Sequence, residues 1–218
     1  MGFDKAFLEL GGRPIVTRLL EEATVGFRDI VLVGNDLPPY AATLVRLGWS
    51  AVPDTGSSTF RKNSREVRLL SDRRPGLGPL AGLEVGLRAA RNPHCWLLGC
   101  DLPFVVEEVG LRLLRKLAGT ESPSAEAHEP PDLSGSPGAV VPVVNDRLQT
   151  LCSAVQSDAH RIATACLDSG RYRMTDLLER TGFERLDASG FTDLGDPERL
   201  FLNLNRPQDL ERARAWLE

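Results

Sequence analysis

Residues 76–101 read GLGPLAGLEVGLRAARNPHCWLLGCD, and the fold turns on this stretch. Gly76, Gly78 and Pro79 make a turn-rich loop. From about Leu80 to Ala90 the apolar residues fall at helical spacing, with Gly82 and Gly86 on the same helix. Trp96-Leu97-Leu98-Gly99 is then a short apolar run bounded by polar residues, which reads as a buried strand. Cys100-Asp101 stands at the carboxyl end of that strand. Loop, helix, strand and terminal carboxylate form the repeating unit of an α/β sheet protein.

The flanking segments repeat the unit. Upstream, Pro14 suits a first helical position, and Ile15, Val16, Leu19 and Leu20 follow at helical spacing. Ile30-Val31-Leu32-Val33 is a second buried strand, closed by Gly34-Asn35. Pro38 to Leu47 predicts a short helix and Trp49 to Val52 a strand. The polar segment 53–66 reads as loop, and Val67 to Leu70 as a short extended piece ending at Ser71-Asp72. Downstream, Glu107 to Leu117 is an amphipathic helix. Residues 119–138, rich in Ser, Pro, Glu and Gly, predict a mobile surface insertion within a single domain spanning 1–218. Ala139 to Val144 is an apolar strand interrupted by Pro142; helices are expected at 158–169, 174–180 and 207–217, with Phe201 to Leu204 extended. Such alternation predicts a mostly parallel sheet with helices on both faces. Ligands of such sheets bind at the carboxyl ends of the strands, where Asn35, Asp72 and Asp101 fall.

Composition excludes several classes. A net charge of −4 and a pI near 5.5 argue against a general nucleic-acid binder. No apolar run approaches the roughly 18 residues of a membrane helix, and no signal segment opens the chain, so a cytoplasmic protein is expected. Cys95, Cys100, Cys152 and Cys166 form no C-x-x-C pair and the histidines are scattered, which argues against zinc and against a disulfide framework. Among 26 basic residues the lysines are Lys5, Lys62 and Lys116, so a lysine marks a place where a compact ammonium suits better than a guanidinium.

Three motifs carry chemistry. Met1-Gly2-Phe3-Asp4-Lys5 places a lysine near the chain start. Gly78-Pro79-Leu80-Ala81-Gly82 opens a helix whose N-terminal N–H groups suit an anion or a base. Cys100-Asp101-Leu102-Pro103-Phe104 sets a carboxylate at a strand end, a fit for a hard cation or for a turn. Together these resemble the molybdenum cofactor guanylyltransferase family, the MobA-like NTP transferases. The resemblance runs from Met1 to about Leu217 and is thin through 53–66 and 119–138. It implies a Rossmann-like nucleotidyltransferase fold of the nucleotide-diphospho-sugar transferase type. It also implies transfer of GMP from GTP to the molybdopterin cofactor with release of pyrophosphate, and Mg²⁺ as cofactor. By this resemblance Lys5 binds nucleotide phosphates and Asp101 holds the metal, these two being the catalytic residues. Gly78 and Gly82 shape the nucleotide wall, and Asn35 and Asp72 contact base or ribose. Asn203 and Asn205, in Phe201-Leu202-Asn203-Leu204-Asn205-Arg206-Pro207, are candidates for the pterin side, with Arg206 where the family has threonine. GTP and the molybdenum cofactor are the implied ligands, molybdoenzymes that accept the product are candidate partners, and neither nucleic acid nor membrane is implied.

The family pattern also has an apolar strand and an L-A-G-G-x-S-x-R loop ahead of the position of Met1. The expectation is a start upstream of Met1, with the strand at Ile30–Val33 short of one neighbour in the residues at hand. The readings left open are a related cytidylyl or sugar-phosphate enzyme and a degenerate nucleotide-binding relative.

Overall fold

The computed structural model describes residues 4–53, 58–119 and 137–217. Most of the expected insertion at 119–138, and part of the segment 53–66, lie outside the described residues. The chain folds as an α/β protein, with two mixed sheets and helices packed on them.

A turn of 3-10 helix over Lys5–Phe7 leads into a short hairpin, β1 (Glu9–Leu10) with β2 (Arg13–Pro14). Pro14 ends that hairpin instead of opening the helix, so α1 runs Ile15–Gly26 and buries Ile15, Val16, Leu19 and Leu20. The first sheet follows. Its β3 (Asp29–Gly34) lies parallel to β6 (Arg65–Ser71), with Gly34 opposite Ser71. Between them in sequence come α2 (Pro38–Arg46), β4 (Ser50–Ala51) and β5 (Ser58–Lys62). The strand order is β3-β6-β5-β4.

The second sheet holds β7 (His94–Leu98), β8 (Ala139–Val144), β10 (Cys152–Gln156) and β11 (Phe183–Asp187), ordered β11-β8-β10-β7, with β9 (Arg147–Leu148) on β8. Four helices belong with these strands: α3 (Pro79–Ala89), α4 (Glu107–Leu117), α5 (His160–Asp168) and α6 (Met174–Thr181). The short α7 (Pro197–Leu200) and α8 (Pro207–Ala215) close the chain. No helix among the described residues is long and apolar enough to cross a membrane.

Pairing is less parallel than the alternation predicts. β3–β6 and β8–β11 are parallel; the β5–β6, β4–β5, β7–β10, β8–β10 and β8–β9 pairs are antiparallel. Part of the supposed loop 53–66 is β5, joined to β6 by a tight turn in which Asn63 takes φ 55°. Burial of the adjacent Thr59 and Phe60 holds it. Pro142 does not interrupt β8: the antiparallel ladder to β10 uses Ala139 and Val140 and stops before the proline, which has no N–H to give.

Among the described residues β3 and β7 are edge strands of separate sheets, and every residue of both is half-buried. Helices bridge the two sheets. Glu22 on α1 accepts the Glu107 N–H at 2.9 Å, capping α4. Phe27 and Trp96 meet with ring centroids 5.2 Å apart. The close fit of α4 on β7 depends on Gly110, where a Cβ would lie 2.3 Å from the Trp96 ring. Overpacking against a rigid indole costs about 1–3 kcal/mol or more. Gly110→Ala is therefore expected to lower Tm by roughly 5–10 °C in a chain of this size, measured by calorimetry.

On the other side α3 packs against β3 and α5. Buried Glu84 on α3 accepts from Arg88 Nε at 2.8 Å and from Thr164 Oγ1 of α5 at 3.0 Å. Burial opposes ionisation of Glu84, but the hydrogen bonds from Arg88 and Thr164 outweigh it and hold its carboxyl below the usual range. A lowered carboxyl pKa gives stability that is present above the unfolded value and lost as pH falls through the folded one. Glu84→Gln should thus cost roughly 1–3 kcal/mol at pH 7. The gap to the unsubstituted chain should narrow below about pH 4, read by denaturant titration across pH.

Candidate functional site

The carboxyl ends of β3, β6 and β7 carry Asn35, Asp72 and Asp101, three of the residues singled out by sequence. Asp101 follows β7 by three positions and is buried, 8% exposed. Its Oδ1 is buried without a hydrogen-bond partner. The carboxylate folds back over Gly99, where a Cβ would sit 2.8 Å from Oδ1 and 2.8 Å from Leu151 Cβ. Gly99 is thus needed for this geometry, a requirement not drawn from the sequence. Burial pushes the Asp101 carboxyl above the usual carboxylate range; its own backbone, Lys5 and the Asn203 side chain pull the other way.

The chain's far end completes this group. The backbone N–H of Leu204 donates to the Asp101 carbonyl at 2.9 Å. Leu202 and Leu204 are buried, so the alternate residues Asn203 and Asn205 face the other way. Asn203 Oδ1 is a second buried oxygen without a partner. Asn205 Oδ1 accepts from Lys5 Nζ at 3.0 Å. Residues 200 positions apart thereby meet, and the Lys5 charge also acts on the Asp101 carboxylate.

Lys5 is set by its neighbour. Asp4 Oδ1 accepts the Ala6 N–H at 3.0 Å and caps the turn that carries Lys5. Asp4 Oδ2 accepts from the Tyr40 hydroxyl at 2.6 Å. The buried Tyr40 ring leans on Gly34, where a Cβ would come within 3.0 Å of it. Sequence reasoning gave no role to Tyr40, and nothing in its local pattern signals one. Nearby, burial, with Asp101 and Asp4, pushes the Cys100 thiol up to about 11, so it is no thiolate nucleophile at neutral pH.

Asn35 and Asp72 form a second pair. Asn35 is exposed just past β3, and Asp72 lies just past β6, its N–H donating to the Gly34 carbonyl at 3.1 Å. Asp72 Oδ1 accepts the Arg74 N–H at 2.8 Å, so one oxygen is engaged in a local turn. The following loop reaches α3 through Gly76 at φ 85° and Gly78 at φ 84°, conformations that glycine adopts without strain. Gly82, by contrast, has room: a Cβ there would stand 3.8 Å from Val33. Lys5, Asp101, Asn203 and Asn205 form one group and Asn35 with Asp72 another. The contacts of Tyr40 with Asp4 and Gly34 link the two, whereas Gly78 faces the backbone of Tyr172.

Two orphaned buried oxygens, on Asp101 and Asn203, are hard donors suited to Mg²⁺. No group of three or more His, Cys, Asp or Glu gathers for a metal among the described residues. A single carboxylate fits an ion that keeps waters and shares its shell with phosphates. A separate cleft of about 620 Å³ lies between α1 and residues 194–200, lined by Arg13, Arg18 and Phe104 among others; Lys5, Asp101, Asn203 and Asn205 do not line it.

Residues 1–180 match the sequence model of a family described as the MobA-like NTP transferase domain. A probable molybdenum cofactor guanylyltransferase of Pelotomaculum thermopropionicum is 23% identical over 218 residues, covering 100% of this chain and 87% of the relative. A molybdenum cofactor guanylyltransferase of Cereibacter sphaeroides is 29% identical over 219 residues, covering 99% and 89%. The crystal structure of molybdopterin-guanine dinucleotide biosynthesis protein A from Archaeoglobus fulgidus superposes with a TM-score of 0.71 at 20% identity, covering 99% of this chain and 91% of that one.

Proposed function

For a chain that belongs to the MobA-like NTP transferase family, and is a nucleotidyltransferase, we propose guanylyl transfer to the molybdenum cofactor. The terminal phosphate of the molybdopterin attacks the α-phosphorus of GTP, a new P–O–P bond forms, and pyrophosphate leaves with the bonding electron pair. The observation that carries the proposal is the buried, half-unpartnered Asp101 carboxylate beside the Lys5 ammonium at the end of β7. The names of the relatives, matched over 87% and 89% of their length, support the choice of GTP and of the molybdenum cofactor.

In this reading Asp101 and the Asn203 carbonyl oxygen hold Mg²⁺, which supplies charge neutralisation across the phosphates when bound. Lys5 directs a compact positive charge at the phosphate oxygens where charge grows as pyrophosphate departs. Asn205 orients that ammonium and stands on the pterin side with Asn203. Asn35 and Asp72 contact ribose or base from the ends of β3 and β6. Gly78 and Gly82 form the wall beside the nucleotide, at the start of a helix whose N–H groups favour an acceptor atom. An already ionised phosphate nucleophile needs no strong general base. Positioning and electrostatics therefore carry the rate.

The test is pyrophosphate release from GTP or CTP with Mg²⁺ and molybdenum cofactor. GTP is expected to exceed CTP by at least about 10²-fold in kcat/KM, as a site that hydrogen-bonds its base requires. Equal use of the two would favour the cytidylyl reading. Nucleotide binding without release would leave a binding protein.

A further inference from the structure

Asp4 is the carboxylate nearest in sequence to Lys5, and in water it would compete for the ammonium. Yet no ion pair joins Asp4 to Lys5 among the described residues. The ammonium is given to Asn205, and both Asp4 oxygens are engaged elsewhere, Oδ1 with the Ala6 N–H and Oδ2 with the Tyr40 hydroxyl. The hydroxyl is aimed by a fixed ring. Phe7 meets Tyr40 edge-on with centroids 4.8 Å apart, Gly34 leaves room for the ring at the end of β3, and Tyr40 is only 6% exposed. Burial, then the carboxylate of Asp4, Cys100 and Asp36 keep the phenol protonated, so it remains a donor through the neutral range.

We infer that Tyr40 is a positioning residue for Lys5: by holding Asp4 it keeps a second carboxylate, beyond that of Asp101, off the ammonium and leaves more of the Lys5 charge to an incoming nucleotide phosphate. The inference rests on the reading of Lys5 as a phosphate ligand and adds a residue to it. An ammonium already paired with a carboxylate offers a phosphate less net attraction, and breaking the pair would oppose binding. Tyr40 acts before the nucleotide arrives and touches neither substrate nor metal.

The probe is the Mg²⁺ complex of GTP, with affinity measured by calorimetry and turnover in parallel. Tyr40→Phe keeps the ring and its contacts and removes only the donor. It is expected to weaken GTP binding about tenfold, the scale of one hydrogen bond's net worth, with the acceptor KM unchanged. The double variant Tyr40→Phe, Asp4→Asn keeps a cap oxygen for the Ala6 N–H but has no charge to offer Lys5. It is expected to recover affinity to within about threefold of the unsubstituted chain. Unchanged GTP affinity in Tyr40→Phe overturns the inference, and so does a loss that Asp4→Asn fails to relieve, since that would be a structural effect alone. Failure of the unsubstituted chain to bind GTP would overturn the functional reading itself and this inference with it, and is recognised before any substitution is made.

Discussion

Asp101→Asn is expected to lower kcat/KM by roughly 10³-fold while making the protein more resistant to heat. The rate loss follows from removing the buried carboxylate of the site. Loss of a preorganised charge-stabilising group costs on this order. Asparagine is nearly isosteric and keeps one acceptor oxygen, so the Gly99 turn that the side chain covers is retained. The gain in stability has a separate origin. Burial raises the Asp101 carboxyl above the usual range, so folding disfavours its ionised form. A carboxyl with a raised folded pKa contributes stability that is present below the unfolded value and lost as pH rises through the folded value. At pH 7 the unsubstituted protein carries that cost, whereas the amide of the variant has no charge to desolvate. The two melting temperatures should converge as pH falls below about 4, where the carboxyl is protonated in both folded and unfolded chains. A variant that loses activity and gains no stability at pH 7 would mean that Asp101 is not strained by its burial. Functional groups held at such a cost are a common source of trade-off between activity and stability.

Lys5→Met is the second large effect, an expected loss of about 10²-fold in kcat/KM for GTP. Methionine preserves most of the side-chain length and its apolar packing but removes the charge. The loss should appear in kcat as well as in KM, because the charge on the departing pyrophosphate exceeds that on the bound triphosphate at the leaving oxygen. Lys5→Arg should restore only part of it. The guanidinium is planar and longer, and the Asn205 carbonyl at 3.0 Å from Nζ is placed for a compact head group. Steady-state kinetics at several GTP concentrations separates the two parameters. A rise in KM with kcat untouched would reassign Lys5 to uniform binding, equal in the ground state and the transition state.

Much of this was legible where sequence constraints are local. The apolar run at Trp96 to Gly99 gives β7 and puts Asp101 at its end; the Gly78–Gly82 motif opens α3; the amphipathic spacing of Glu107 to Leu117 gives α4. Strands with weak local signals were missed. In β5 the two buried residues, Thr59 and Phe60, are adjacent, so no alternation marks it. In β10 the run Cys152-Ser153-Ala154-Val155 is buried throughout on small residues, and β11 is a largely polar edge strand on β8. Pairing sense depends on neighbours far away in sequence, which is why a mostly parallel sheet was expected and mixed sheets are found. The site divides the same way. Asp101 was marked by its place at a strand end as well as by resemblance to a family, whereas Lys5, Asn203 and Asn205 took their roles from the resemblance, since Lys5 and Asn205 are 200 positions apart. Tyr40 stands 36 positions from Asp4 and belongs to no motif, so only the packed structure brings it forward.

The most direct measurement is binding of Mn²⁺, as a paramagnetic stand-in for Mg²⁺, in the presence of GTP, followed by broadening of backbone amide resonances. If Asp101 and Asn203 hold the metal with nucleotide phosphates sharing its shell, GTP-dependent broadening will centre on residues 99–102 and 203–205 and vanish in Asp101→Asn. Broadening that is unchanged in Asp101→Asn, or centred on another part of the chain, would contradict the assignment of the metal–nucleotide site to the end of β7.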